Sequence, residues 1–200
     1  MRGTLFIYGR FMLIYIHGFN SSPASHKSQL LHDRLKGMGR AAEFSCPALP
    51  YAPAAAADML RKEIGTQPPR GVTLVGSSLG GYYATYLAEE LGLRAVLVNP
   101  AIKPYEGLRT YLGKQKNLYT HEAYELTAAH LDELLALDVE RPTRLERYYL
   151  MVTTGDEVLD YRDAVAKYAG AKQLVVQGSD HGFKEFGDHL EGVLKFAGIK

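Results

Sequence analysis

A serine between two glycines is the pattern in this sequence with the strongest chemical meaning. Residues 76–80 read Gly-Ser-Ser-Leu-Gly and match Gly-x-Ser-x-Gly, with Ser78 at the centre. The match follows the apolar run 72–75 and precedes a helical pattern, which is the context of a nucleophile on a strand-to-helix turn. Gly76 and Gly80 permit a turn tight enough to project the Ser78 hydroxyl outward. The pattern predicts covalent acyl transfer through Ser78, and simple capping of the helix is the structural alternative.

A serine nucleophile needs a general base and an acid that orients it. His181 stands just beyond the apolar run 173–177, where a loop after the last predicted strand presents a base. Asp156 follows the run 148–153 and comes first in its loop, where position is best fixed. We therefore predict a triad of Ser78, His181 and Asp156, and a solvated loop histidine is the alternative for His181.

Other carboxylates compete for the role of the acid. Glu157 and Asp160 lie in the same loop as Asp156, and Asp180 directly precedes His181. Neighbouring side chains in a loop seldom point together, which makes Asp180 the weakest choice. Glu157 and Asp160 stay open as alternatives.

Two backbone N–H groups are candidates for an oxyanion hole. Leu79 begins the predicted helix after the serine, where an amide N–H has no partner inside the helix. Phe19 lies in the loop after the first predicted strand, and Gly18 before it lets the backbone approach a substrate. His17 is expected to brace this loop by hydrogen bonds rather than to act as a second base.

The elements that must position these residues alternate between strand and helix. Five apolar runs that stop at turn residues predict strands at 12–16, 72–75, 95–98, 148–153 and 173–177, with a weaker sixth at 41–44. Helical patterns fill residues 27–38, 53–65, 80–91, 161–169 and 184–196. The alternation predicts an α/β fold: a three-layer sandwich with a mostly parallel sheet of about six or seven strands and helices on both faces.

Two segments lie outside this alternation. Residues 101–147 form the longest gap between predicted strands and contain a helical pattern at 126–137. A segment of this length is a natural small helical cap over a site. The alternative is that it forms scaffold helices without a role in substrate choice. Residues 1–11 precede the first predicted strand and are either an extra edge strand at 5–8 or an artefact of an upstream start. We expect a single domain over residues 1–200.

The composition argues against several other classes of protein. The net charge is +1 and no run of five like charges occurs, so neither a nucleic acid nor an anionic membrane is an expected partner. The longest apolar stretches fall far short of the roughly 18 residues of a membrane helix. No secretory pattern opens the chain, and we expect a cytoplasmic protein.

Metal and cofactor chemistry has little support in the sequence. There is no His-Glu-x-x-His pattern, no paired-cysteine spacing, no Walker loop and no Gly-x-Gly-x-x-Gly, so we expect neither a metal nor a cofactor. The single cysteine, Cys46, is expected to be a buried structural thiol. The tyrosines that follow the nucleophile are interpreted mostly as packing residues, with a substrate-binding lining as the alternative: Tyr82, Tyr83 and Tyr86.

Longer segments around these residues resemble the small bacterial YqiA-type esterases, from residue 12 almost to the end. The segments are HGFNSSP, GSSLGGYYA, NPA, GDEVLDY and DHGF, at residues 17–23, 76–84, 99–101, 155–161 and 180–183. The resemblance implies an α/β-hydrolase, and its triad and oxyanion donors carry over to Ser78, Asp156 and His181 and to Phe19 and Leu79. A proline often stands at the position of Asp160 in the usual hydrolase pattern, so Asp160 remains the competitor for the acid.

The resemblance also implies an activity. Members of that family cleave ester and thioester substrates with short acyl chains, so we expect a serine esterase that acts on a small-molecule ester through an acyl-enzyme. Fold and triad do not fix the substrate. Two alternatives therefore stay open: another triad reaction, such as peptide cleavage, acyl transfer or carbon–carbon hydrolysis, and a ligand-binding scaffold without catalysis.

Overall fold

A computed structural model describes residues 11–67 and 71–200, and the possible edge strand at 5–8 lies outside them. The strands are β1 (Met12–Ile16), β2 (Phe44–Ser45), β3 (Val72–Ser77), β4 (Arg94–Val98), β5 (Gly113–Lys116), β6 (Ala123–Leu126), β7 (Tyr148–Thr153) and β8 (Lys172–Val176). The α-helices are α1 (His26–Gly37), α2 (Pro53–Gly65), α3 (Leu79–Leu91), α4 (Pro104–Gly107), α5 (Ala128–Ala136), α6 (Tyr161–Lys167) and α7 (Leu190–Ala197).

Six of the strands form one parallel sheet in the order β2-β1-β3-β4-β7-β8. The chain runs outward from β1 to β2, then crosses back to β3 and continues outward on the other side. Because the strands are parallel, their carboxyl ends meet at one edge of the sheet, and a crevice forms where the order reverses. Ile16 pairs with Gly76 and Ser77 with Val98 at this edge.

Both faces of the sheet are covered by helices. Along β1, Leu13 and Tyr15 pack on the face covered by α1 and α7, whereas Ile14 and Ile16 pack on the face covered by α2, α3 and α6. All four side chains are at most 1% exposed, which explains why the strand is apolar without alternation. The predicted three-layer α/β sandwich is confirmed.

Some predicted boundaries differ from the structure. Residues Ala41–Glu43 form a 3-10 turn, and strand β2 is confined to the two residues after it. The turn is stabilised by Arg40, which pairs with Glu43 at 2.7 Å, and two alanines have little preference for a strand. The predicted helix at 184–196 begins as a 3-10 helix, Lys184–His189, before α7.

The segment 101–147 contains more than helices. It holds α4, a 3-10 turn at Leu108–Tyr111, the antiparallel pair β5–β6 and α5. We call residues 113–126, which comprise β5, β6 and their connection, the hairpin; the sequence did not predict it. Helix α5 starts with a capping box between Thr127 and His130. Within the part of the chain that the model covers, no helix has the length and apolar character to cross a membrane.

Candidate active site

Ser78 lies on the sharp turn between β3 and α3. Its φ of 55° is strained for a residue with a side chain. The turn is held by its neighbours, because the Ser78 N–H donates to the Val98 carbonyl at 3.0 Å. A methyl group on Gly76 would overlap the Gly80 carbonyl, and one on Gly80 would overlap the Ile16 carbonyl. A residue with a side chain at either position would prevent this close approach of backbone segments, so both glycines are required for the turn.

The structure brings Ser78, His181 and Asp156 together in one chain of hydrogen bonds. His181 Nε2 lies 3.0 Å from Ser78 Oγ, and His181 Nδ1 lies 2.8 Å from Asp156 Oδ2. The three residues come from the turn after β3, the loop after β7 and the loop after β8, all at the carboxyl edge of the sheet. The Asp156 side chain is 2% exposed and that of His181 is 22% exposed, so the imidazole is partly open to a ligand while the carboxylate is not.

The Asp156 carboxylate is stabilised as an anion. Burial alone would raise the pKa of this carboxyl, but the hydrogen bonds from His181 and from the backbone N–H groups outweigh burial and lower the pKa below its usual value. Asp156 Oδ1 accepts from the N–H of Val158 and of Leu159, each at 2.9 Å. These two contacts leave the other oxygen to face the imidazole.

The three competing carboxylates lie elsewhere. Asp160 accepts from the Arg162 N–H at the start of α6 and pairs with the Arg162 side chain. Glu157 accepts from the backbone N–H of His181 at 3.0 Å and does not contact the ring. Asp180 pairs with Lys184 at 2.7 Å. Of the four acids considered from the sequence, the structure brings Asp156 alone to the imidazole.

The backbone N–H groups of Phe19 and Leu79 are available beside Ser78. Neither group donates a hydrogen bond to any atom within residues 11–67 and 71–200. The loop after β1 passes close over Ser78, since a Cβ added to Gly18 would lie 3.2 Å from Ser78 Cβ and 3.6 Å from Ser78 Oγ. Two backbone N–H groups without a partner in the described residues thus belong to the segments next to Ser78.

His17 connects this loop to the rest of the sheet edge. Its Nε2 accepts from the Leu49 N–H at 3.2 Å, and its Nδ1 lies 3.1 Å from the Gly18 carbonyl. The contacts correspond to a neutral ring that carries its proton on Nδ1. Burial lowers the pKa of His17, and the Gly18 contact offsets only part of this effect.

Asn99 is a site residue whose role the sequence did not reveal. It lies at the end of β4 with a φ of 41°, and it is 3% exposed. Its Nδ2 donates to the Thr153 hydroxyl at 3.2 Å and to the His181 carbonyl at 3.2 Å, while its Oδ1 accepts from the Thr153 N–H at 3.0 Å. Asn99 thus joins the ends of β4 and β7 to the loop that carries His181. The signal in the sequence was an Asn-Pro pair directly after a strand.

The hairpin packs against the loop after β1. Tyr124 Oη donates to Asn20 Oδ1 at 2.7 Å, and the Leu118 N–H donates to the Asn20 carbonyl at 3.0 Å. The Tyr124 ring meets the Phe19 ring edge-on at a centroid distance of 6.5 Å, and Tyr111, which precedes the hairpin, does so at 6.0 Å. The contacts of Tyr124 and Leu118 thus link the hairpin to the loop that contains Phe19.

No cluster of three or more metal-ligating side chains (His, Cys, Asp, Glu) occurs among the residues that the model describes. Cys46 is half-buried, and burial raises the pKa of its thiol to about 11.

Comparison with known sequences identifies one family. The model of the uncharacterised protein family UPF0227 matches residues 12–198. The UPF0227 protein YcfP of Salmonella gallinarum is 26% identical over 191 residues, which cover 92% of this chain and 98% of the relative. A UPF0227 protein of Yersinia pseudotuberculosis is 23% identical over the same shares of both chains.

Comparison with solved structures identifies the fold. A putative hydrolase from Agrobacterium vitis superimposes with a TM-score of 0.73 at 16% identity, covering 94% of this chain and 88% of the other. Mouse α/β hydrolase domain-containing protein 10 gives 0.69 at 14% identity, covering 98% and 90%. The esterase domain of a Rhodothermus marinus protein gives 0.64 at 14% identity, covering 96% and 88%. The chain has the α/β-hydrolase fold, as its sequence predicted.

Proposed function

We propose that this chain, which belongs to the uncharacterised protein family UPF0227, is a serine hydrolase that cleaves carboxylic esters of small substrates through an acyl-enzyme. The observation that carries the proposal is the continuous chain of hydrogen bonds from Ser78 through His181 to Asp156. It coincides with a strained φ at the serine and with two unused N–H donors beside it. Strain and unsatisfied donors persist in proteins mainly where function needs them.

The geometry suggests each step of the reaction. Ser78 Oγ attacks the carbonyl carbon of the ester while His181 Nε2 takes the hydroxyl proton. The carbonyl oxygen becomes an oxyanion that accepts hydrogen bonds from the N–H groups of Phe19 and Leu79. The bond from carbon to the leaving oxygen then breaks, and His181 returns the proton to the alcohol.

Water completes the cycle. His181 Nε2 removes a proton from a water molecule, whose oxygen attacks the acyl carbon, and the carboxylic acid leaves as the proton returns to Ser78 Oγ. Asp156 keeps the imidazole proton on Nδ1 throughout, because its carboxylate accepts from that atom. A thioester fits the same steps with a thiol as the leaving group.

We further propose that residues 101–147 act as a cap. The hairpin in this segment contacts the loop beside the nucleophile through Asn20, and the Asn117 side chain donates to the Ser21 carbonyl at 2.8 Å. A segment held over the loop in this way restricts the approach to Ser78 and excludes bulk water from the acyl group.

The test is a matched pair of serine variants. Ser78→Ala should abolish hydrolysis of p-nitrophenyl acetate and labelling by a fluorophosphonate, with an unchanged circular dichroism spectrum. Ser77→Ala removes the adjacent hydroxyl and should keep both activity and labelling. Hydrolysis by Ser78→Ala at the wild-type rate would contradict the proposal. Absence of any phosphonate adduct on wild-type Ser78 would favour a ligand-binding scaffold without catalysis.

A further inference from the structure

A small cavity adjoins the proposed oxyanion hole. Its volume is about 50 Å³, and its walls include Phe19, Leu49, Leu79, Tyr83 and Tyr124. The backbone beside Ser78 Oγ also lines it, at Gly18. An acyl group bound to Ser78, with its carbonyl oxygen on the N–H groups of Phe19 and Leu79, therefore has this cavity next to it.

The cavity can receive part of an acyl group. One water molecule needs about 10–15 Å³ of such space, so a cavity of about 50 Å³ holds several non-hydrogen atoms. Apolar walls alone, such as Phe19, Leu49 and Leu79, would favour a plain alkyl group there.

One wall of the cavity carries an unused polar group. Tyr83 lies four residues after Leu79, and therefore on the same face of α3. Its side chain is 3% exposed, and burial raises the pKa of the phenol far above its ordinary value, so the hydroxyl stays neutral. The Tyr83 hydroxyl forms no hydrogen bond with any described residue of the chain, and it is not sealed in the protein interior.

Neighbouring tyrosines differ in this respect. Tyr82 Oη donates to the Leu134 carbonyl at 2.6 Å, and Tyr124 Oη donates to Asn20 at 2.7 Å. A ligand in the cavity would cover the Tyr83 hydroxyl and exclude water from it. A ligand atom that accepts or donates a hydrogen bond at Tyr83 is therefore favoured over a methyl group, which would leave the phenol without a partner.

We propose that Tyr83 selects the acyl group, and that the substrates are esters whose acyl group carries a hydroxyl or keto oxygen. The inference rests on the proposed function. Tyr83 is thus a substrate-contacting residue. Of the three tyrosines that follow Ser78, we interpret Tyr82 and Tyr86 as packing residues and Tyr83 as the one that recognises the substrate.

The experiment compares acyl groups of one carbon skeleton. Ethyl propionate, ethyl 2-hydroxypropionate and ethyl 3-hydroxypropionate are assayed by pH-stat titration, and selectivity is the ratio of kcat/KM for a hydroxy ester to kcat/KM for the propionate. Comparing this ratio between variants cancels the different intrinsic reactivities of the esters. Tyr83→Phe should lower the ratio about tenfold for at least one hydroxy ester. Tyr82→Phe, which removes a hydroxyl that points elsewhere, should leave both ratios within about twofold of wild type.

A second measurement needs no variant. Lactamide and 3-hydroxypropionamide are each compared with propionamide as competitive inhibitors of wild-type hydrolysis, and at least one hydroxy amide should bind about tenfold more tightly. Unchanged ratios in Tyr83→Phe, or equal inhibition by all three amides, would overturn the inference while the esterase remains intact. Failure of the proposed function gives a different result, because wild type would then hydrolyse none of the esters.

Discussion

Replacing Asp156 by asparagine tests which acid orients the imidazole. In the structure, the N–H groups of Val158 and Leu159 both donate to Asp156 Oδ1. These donors should hold the oxygen of an asparagine amide in the same place, so its NH₂ group would face His181 Nδ1. A donor would then face a donor, and the imidazole would move its proton to Nε2.

The expected loss follows from that change of tautomer. A ring that carries its proton on Nε2 cannot accept the proton of Ser78 Oγ, which lies 3.0 Å away. The same substitution in a serine protease triad lowers kcat by about 10⁴, so we expect Asp156→Asn to lose 10³- to 10⁴-fold, or about 4–5.5 kcal/mol of transition-state stabilisation. The value of KM should change little, because Asp156 is buried away from the substrate.

Asp160→Asn is the matched control. Asparagine caps a helix about as well as aspartate, and the lost ion pair with Arg162 is exposed, so kcat should stay within about twofold of wild type. Both variants are assayed with p-nitrophenyl acetate after their unfolding midpoints are compared. A fall in kcat with Asp160→Asn and none with Asp156→Asn would refute the assignment of the acid.

Two further predictions concern the loop beside the nucleophile and the single thiol. Tyr124→Phe should lower kcat about tenfold with little change in KM, because the hydrogen bond from Tyr124 to Asn20 holds the Phe19 N–H in position. Tyr111→Phe is the control: Tyr111 also contacts the Phe19 ring but forms no hydrogen bond with Asn20, so this variant should retain full activity. Equal loss in both variants, measured by steady-state kinetics, would contradict this role. Burial raises the pKa of the Cys46 thiol to about 11, so at pH 8 its reaction with iodoacetamide should be slower than that of a free thiol by more than about a hundredfold. The rate is followed by mass spectrometry, and labelling at the rate of a free thiol would contradict the prediction.

The fold could be predicted from the sequence because its main signals are local. Strand β1 and strand β7 are buried on both faces, and each reads as an unbroken apolar run that ends at a turn residue. The hairpin gives no such signal, since β5 is Gly-Lys-Gln-Lys and has alternately half-buried and exposed residues without an apolar face. Its position depends on contacts with Asn20, more than ninety residues away in the chain.

Chain order and the ends of the predicted strands were enough to predict which residues lie at the site, but not which side chains contact each other. The sequence placed Ser78, Asp156 and His181 just beyond strands, and parallel strands bring such positions to one edge. It could not rank Asp156 above Asp160 firmly, because that choice depends on which way a loop side chain turns. The contacts of Asn99 are equally hidden, since they join residues 54 and 82 positions apart.

The site therefore has two parts with different tolerance for change. Ser78, Asp156 and His181 follow the strands β3, β7 and β8 of the parallel sheet. Asn99 ties the ends of β4 and β7 to the loop that carries His181. The hairpin is mostly exposed and contacts the site through a few hydrogen bonds and ring contacts, so we expect it to open at a lower free energy than the sheet. Under the proposed function, changes in the hairpin would alter the acyl cavity without moving Ser78, Asp156 or His181.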